Sequence, residues 1–113
     1  MKEYRPWGTY QVLLDDDNCK VKKIVVKPGQ VLSYQSHKLR NEDWIVVKGE
    51  GFVVLDDKKL TVKPGDHIHI PAGVKHRIGT ESSPETLVFV EVQTGDYFGE
   101  DDIVRIDDIY GRV

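Results

Sequence analysis

Four histidines, His37, His67, His69 and His76, are the side chains of this sequence suited to metal or proton chemistry near neutral pH. Gln35 and His37 are two apart, so on a strand both side chains leave the same face. Glu42 follows His37 after four intervening residues, room for a tight excursion back to the same region. His76 lies far along the chain, just past Pro71-Ala72-Gly73. Distant strands of a closed sheet can deliver these groups to one interior point. Imidazole nitrogen, carboxylate oxygen and amide oxygen then make a ligand set for a divalent metal. The same residue types also serve as surface polar groups or satisfied core residues, and the four positions alone leave both uses open. His67 and His69 alternate with Ile68 and Ile70, so both histidines share one strand face. Facing inward, either is a candidate proton carrier; facing outward, both are solvated and inert. The isoleucines favour the second and the polar cavity of a small barrel the first, and alternation does not choose.

The elements that must position these groups are short β-branched segments: Lys20 to Val26, Trp44 to Val47, Phe52 to Leu55, Leu60 to Val62, His67 to Ile70 and Leu87 to Val92. Turn formers separate them, including Lys27-Pro28-Gly29-Gln30, Lys48-Gly49-Glu50-Gly51, Lys63-Pro64-Gly65-Asp66 and Pro71-Ala72-Gly73. Asp56-Asp57 reads as a hairpin tip and Ser82-Ser83-Pro84-Glu85 as an exposed loop. Short strands with closely spaced turns predict an all-β fold, a single antiparallel barrel of about six to eight strands. Beyond Gly99, the acidic Glu100-Asp101-Asp102 precedes Ile103, Val104 and Ile106, which could anchor a short helical turn or strand as a C-terminal extension. At 113 residues the chain is expected to be one domain, 1–113. Its 16 basic and 19 acidic residues sum to −3, which excludes nucleic-acid binding driven mainly by phosphate attraction. No apolar run is long enough for a membrane span. The first residues hold no apolar signal core, and Cys19 has no partner for an internal disulfide, so a cytoplasmic location is expected.

Glycine and proline spacing adds a framework to these positions. Gly29, five residues, Gln35-Ser36-His37, four residues, Glu42, six residues and Gly49 form one block. Gly65, five residues, Pro71-Ala72-Gly73, two residues and His76 form a second, fifteen residues after the first. The pair resembles the two motifs of the cupin superfamily, with Gln35 where many cupins carry a histidine and Thr80 where the second motif often ends in asparagine. Gln35-Ser36-His37-Lys38-Leu39-Arg40-Asn41-Glu42-Asp43-Trp44 further resembles the signature of type II mannose-6-phosphate isomerases, Leu-Gln-x-His-x-His-Arg-x-Glu-x-Trp. Arg5-Pro6-Trp7-Gly8, Ile70 to Arg77, Glu91 to Gly95, Gly99 to Arg105 and Tyr110-Gly111-Arg112 agree as well. Tyr34 and Leu39 depart from the signature, and any duty of the histidine that Leu39 replaces has no bearer here.

That family's isomerase domain is usually the C-terminal part of a bifunctional enzyme whose larger part is a mannose-1-phosphate guanylyltransferase. The resemblance implies a cupin that interconverts mannose 6-phosphate and fructose 6-phosphate and so supplies mannose phosphates for polysaccharide synthesis. It implies one divalent metal held by Gln35, His37, Glu42 and His76, with zinc the first expectation and manganese, iron(II) or cobalt the alternatives. Arg40 matches the signature arginine and is the candidate catalytic residue, stabilising charge on the reacting oxygens. Its other reading is a surface ion pair with Glu42 or Asp43. The substrate phosphate needs cations, and Lys75, Arg105 and Arg112 are the candidates, with Arg77 beside them. Two other readings stand beside the isomerase: a non-catalytic sugar-phosphate or sugar-nucleotide binding cupin that partners a separate guanylyltransferase, and another small cupin enzyme. A homodimer is expected because small sheets leave open edges, with Trp7, Tyr10 and Val12 as the candidate interface.

Overall fold

A strand of the form Leu87-Val88-Phe89-Val90-Glu91-Val92-Gln93 is apolar on both faces at one end and polar on alternate residues at the other. The fold turns that lengthwise change into a site. A computed structural model of the chain describes residues 2–80 and 84–111. The strands are β1 (Lys2–Arg5), β2 (Gly8–Asp15), β3 (Cys19–Val26), β4 (Tyr34–Ser36), β5 (Arg40–Lys48), β6 (Gly51–Leu55), β7 (Lys58–Val62), β8 (His67–Ile70), β9 (His76–Gly79), β10 (Leu87–Gly95) and β11 (Val104–Asp107). Among the described residues there is no helix. A six-stranded sheet runs β1-β2-β3-β10-β5-β8 and a five-stranded sheet β11-β4-β9-β6-β7, with antiparallel pairing throughout. The expected all-β fold is present, but with more strands than six to eight and as two sheets of jelly-roll type rather than one closed sheet. The extra strands come from segments too short or too polar to read as apolar runs, such as β1, β4 and β9.

The inner face of the six-stranded sheet is apolar at one end, where Val26, Val46, Leu87 and Phe89 are buried against Val53 and Ile78 of the other sheet. Burying a side chain such as Phe89 contributes about 2–3 kcal/mol. At the other end the same face carries Lys22, Arg40, Glu42, Glu91 and Gln93, all buried. Registers fix the row: Glu91 pairs with Trp44 and Lys22, and Gln93 with Glu42.

The turns follow the sequence. Asp56 and Asp57 have φ of 44° and 71°, the left-handed pair of a tight hairpin between β6 and β7. Gly49 has φ +80°, and a Cβ there would lie 2.2 Å from the Thr86 carbonyl oxygen, so only glycine fits. Ser82 and Ser83 of the expected loop lie outside the described residues. The tail forms strand β11, not a helical turn. It pairs with β4, but Val104 and Ile106 are exposed, and only Ile103 is partly buried. Trp7, Tyr10 and Val12 do not form an outer patch. Trp7 precedes β2 and is buried in the core, Tyr10 stands opposite Ile24 and packs against that core, and only Val12, beside the irregularity between Val12 and Leu14, is exposed.

Candidate metal centre

Gln35, His37, Glu42 and His76 come from three strands and one loop. Gln35 on β4 is directly opposite His76 on β9. His37 follows β4, where its carbonyl accepts the amide of Gly73 at 2.7 Å. The Pro71-Ala72-Gly73 turn is thereby tied to the ligand loop, and Asn41 Oδ1 holds it again by accepting from Ala72 N at 2.9 Å. Between His37 and Arg40 the chain is pinned from the tail: Asp102 accepts from Lys38 N at 3.1 Å and from Leu39 N at 2.9 Å. Arg40 and Glu42 alternate on β5 and both enter the interior.

Donor atoms of His37, Glu42 and His76, all buried, lie within 4.8 Å of one another. His76 Nδ1–H donates to the Val74 carbonyl at 3.0 Å, which leaves Nε2 unprotonated, 3.9 Å from Glu42 Oε1. His37 Nδ1 is buried without a hydrogen-bond partner among the described residues and lies 3.3 Å from Glu42 Oε2. Gln35 donates its amide nitrogen to Ser33 Oγ at 3.0 Å, an arrangement that uses the nitrogen and not the oxygen. Burial, then Arg40 and His76, holds His37 down to about 3, and burial also lowers His76. Both imidazoles are therefore neutral at pH 7, the form that coordinates. An orphaned buried nitrogen and two neutral imidazoles around one carboxylate fit a divalent ion with nitrogen and oxygen preferences.

Arg40 is not a surface ion pair. It is buried, with Nε 2.9 Å and Nη2 2.8 Å from Glu42 Oε2, and Nη2 3.0 Å from His37 Nε2. Its Nη1 is buried without a hydrogen-bond acceptor among the described residues and lies 3.7 Å from Glu100 Oε2. Trp44 Nε1 donates to Glu42 Oε1 and to Glu91 Oε1, both at 3.0 Å, and the indole stands edge-on to His76. Glu91 also accepts from Gln93 Nε2 at 2.8 Å. Burial, then the charge of Glu42, pushes Glu91 up to about 7.

A cavity of about 160 Å³ opens over this floor. Arg105 on β11 lines it, directly opposite Gln35 of β4. Arg112 lies outside the described residues. Lys75 is not at the cavity: it pairs with Asp57 at 3.3 Å beyond the β6–β7 tip, because it and His76 point to opposite sides. Arg77 does line the mouth, although it also flanks His76, since its long side chain bends to the Leu32 carbonyl at 3.1 Å. His67 and His69 face outward and are exposed. Both bond to Asp43 Oδ1, at 2.8 and 2.9 Å, while Ile68 and Ile70 fill the core. They cannot carry protons in the cavity. Sequence reasoning missed Glu91, Arg5 and Lys22 as lining residues. A carboxylate and a lysine amid the apolar strands β10 and β3 were the available signal.

Two antiparallel sheets packed in this way have the cupin fold. The capsular polysaccharide assembling protein CapF of Staphylococcus aureus superposes with a TM-score of 0.81 at 20% identity, over 96% of this chain and 34% of that one. A cupin-2 domain protein of Rhodospirillum rubrum gives 0.71 at 23% identity, over 83% and 67%. Within that fold the chain belongs to the family described as mannose-6-phosphate isomerase C-terminal, which matches residues 1–108. Among its relatives, the xanthan biosynthesis protein XanB of Xanthomonas campestris pv. campestris (strain B100) is 46% identical over 98% of this chain and 24% of its own length. The alginate biosynthesis protein AlgA of Pseudomonas aeruginosa is 44% identical over 96% of this chain and 22% of its own length. The chain thus spans about a quarter of the relatives it matches. No helix of the described residues is long and apolar enough to cross a membrane.

Proposed function

We propose that this chain is a metal-dependent isomerase unit that interconverts mannose 6-phosphate and fructose 6-phosphate for polysaccharide synthesis. One observation carries the reading: the His37-Glu42-His76 cluster shares its cavity floor with a buried arginine held on Glu42. Family membership and the polysaccharide roles in the relatives' names support it.

Isomerisation moves a proton between C1 and C2 and develops negative charge on the adjoining oxygens. A divalent ion held by Gln35, His37, Glu42 and His76 would supply Lewis acidity to those oxygens. Arg40, held on Glu42 by Nε and Nη2, keeps its positive charge at the cavity floor, where it stabilises the same developing charge electrostatically. Leu39 is exposed and does not line the cavity, so the imidazole absent at this position is not absent from the floor. The apolar core beneath, with Trp44 as its uppermost ring, keeps the floor rigid.

The test is metal analysis of the purified chain coupled to a mannose 6-phosphate to fructose 6-phosphate assay. Stoichiometric metal and turnover are expected, both lost in His76→Ala. Arg40→Lys is expected to retain metal and lose about 100-fold in kcat. Metal without turnover would overturn the isomerase reading in favour of a sugar-phosphate binding unit. No metal after loading with zinc, manganese, iron and cobalt would overturn both.

A further inference from the structure

Five cations line the cavity: Arg5, Lys22, Arg40, Arg77 and Arg105. Three have carboxylate partners. Lys22 pairs with Glu100 at 2.7 Å, Arg40 with Glu42 at 2.8 Å and Arg77 with Asp107 at 3.6 Å. The other two do not, among the described residues. Arg5 donates Nη1 to the Tyr4 carbonyl at 2.9 Å and Nη2 to the Tyr10 hydroxyl at 3.1 Å, and its guanidinium lies 5.0 Å from the Tyr10 ring centroid. These neutral contacts orient the group and leave its charge uncompensated. Arg105 makes no described hydrogen bond or ion pair and stands on the exposed strand β11, directly across from Gln35. The two residues come from opposite ends of the chain and from different sheets, yet both line one cavity above the metal ligands.

We propose that Arg5 and Arg105 form the subsite for the phosphate group of a sugar phosphate. This rests on the isomerase reading for the sugar and deepens it by naming the residues that select a phosphorylated one. A phosphate monoester carries a charge of about −1.5 to −2 at pH 7, which two unpaired guanidiniums match, and their planar forks suit its oxygens. Arg40 cannot leave buried Glu42 without stranding its charge, and Lys22 and Arg77 already have carboxylate partners in Glu100 and Asp107, so the two guanidiniums without one carry the uncompensated charge.

The experiment titrates inorganic phosphate into the metal-loaded chain by calorimetry and runs the mannose 6-phosphate assay in parallel. Arg105→Gln and Arg5→Gln are each expected to weaken phosphate binding about tenfold or more and to flatten its salt dependence. The same variants should raise KM for mannose 6-phosphate with metal content unchanged. Lys75→Gln, outside the cavity, is the control and should change neither. Arg105 is exposed, so its variant decides even where Arg5→Gln lowers stability. Unchanged phosphate affinity in Arg105→Gln, or an equal loss in Lys75→Gln, would overturn the subsite whatever the turnover. Phosphate binding that falls in the two arginine variants of a chain without turnover would uphold the subsite and sink the isomerase reading.

A different observation carries a second inference. In β10 the polar Glu91 and Gln93 enter the interior while Val90 and Val92 leave the outer face, the reverse of a solvated sheet. Beside them stand Val21 and Val25 of β3 and the exposed Ile45 and Val47 of β5. We infer that this face packs on the same face of a second copy. Lys23 sits opposite Val90 on the β3 side, and Asp43, whose Oδ1 bonds His67 and His69, opposite Val92 on the β5 side. A two-fold axis along β10 lays β3 of each copy over β5 of the other, bringing Lys23 one residue pair from Asp43 across the interface. Sedimentation equilibrium at micromolar concentration should show a dimer that Ile45→Glu or Val47→Glu dissociates. Lys23→Glu and Asp43→Lys should each weaken it, and the double variant should restore it. A monomeric parent chain, or a dimer indifferent to Ile45→Glu and Val47→Glu, would overturn the inference.

Discussion

Replacing Glu42 with glutamine removes the charge on which the site's electrostatics converge. Glu42 is 2% exposed and Arg40 6%, and two guanidinium nitrogens lie 2.9 and 2.8 Å from one carboxylate oxygen. Glutamine preserves the shape and can still accept from Trp44, but the guanidinium loses its counter-charge inside the protein. Removing one member of a buried pair costs about 3–5 kcal/mol, whereas an exposed pair contributes only about 0.2–1 kcal/mol. In a domain of this size that lowers Tm by roughly 12–20 °C. Thermal unfolding in excess chelator is the assay, because a bound cation would change the charge that Glu42 meets. Arg40→Met/Glu42→Gln removes both charges and should be more stable than the sum of the single variants predicts, by about 1–3 kcal/mol. A Glu42→Gln Tm within about 4 °C of the parent would refute the reasoning, as would a strictly additive double variant.

Metal-free stability should fall with acid. His37 is held down to about 3 and His76 is also lowered, so below about 6.5 the unfolded chain binds protons that the folded chain refuses. The His37 contribution is fully present above about 6.5 and is lost by about 3, on the order of 5 kcal/mol over the whole span. Glu91, held up to about 7 against an ordinary 4.5, acts oppositely within that interval. Urea titrations from pH 7 to 4 should therefore show a slope that His37→Asn flattens and Glu91→Gln steepens; equal slopes in all three chains would count against both burial effects. Asp102→Ala frees the amides of Lys38 and Leu39, and we expect about tenfold weaker metal binding for about 1–2 kcal/mol of stability, measured by competition with a chelator dye. A variant with unchanged metal affinity would show that the tail does not position the ligand loop. His67→Ala and His69→Ala should leave kcat within about twofold, since both imidazoles lie on the outer face. A loss of tenfold or more would place them in the reaction after all.

Much of this protein follows from local rules. The turns at Gly49 and Asp56-Asp57 are required by backbone sterics, which act between neighbours along the chain. Strand alternation placed Arg40 and Glu42 on one face, whereas the meeting of His37 and His76 with Glu42 was implied by the family resemblance and is made by the packing of the two sheets. Alternation gives two faces but not which is inside. Only packing decided that Ile68 and Ile70 fill the core and turn His67 and His69 to solvent, because burying two isoleucines outweighs burying two imidazoles that already share Asp43. Charge balance at the cavity is likewise tertiary. Lys22 and Glu100 are 78 positions apart, and Arg5 and Arg105 reach one mouth from opposite ends of the chain. A side chain's neighbours across two sheets set whether its charge is cancelled, and no spacing along the sequence records them.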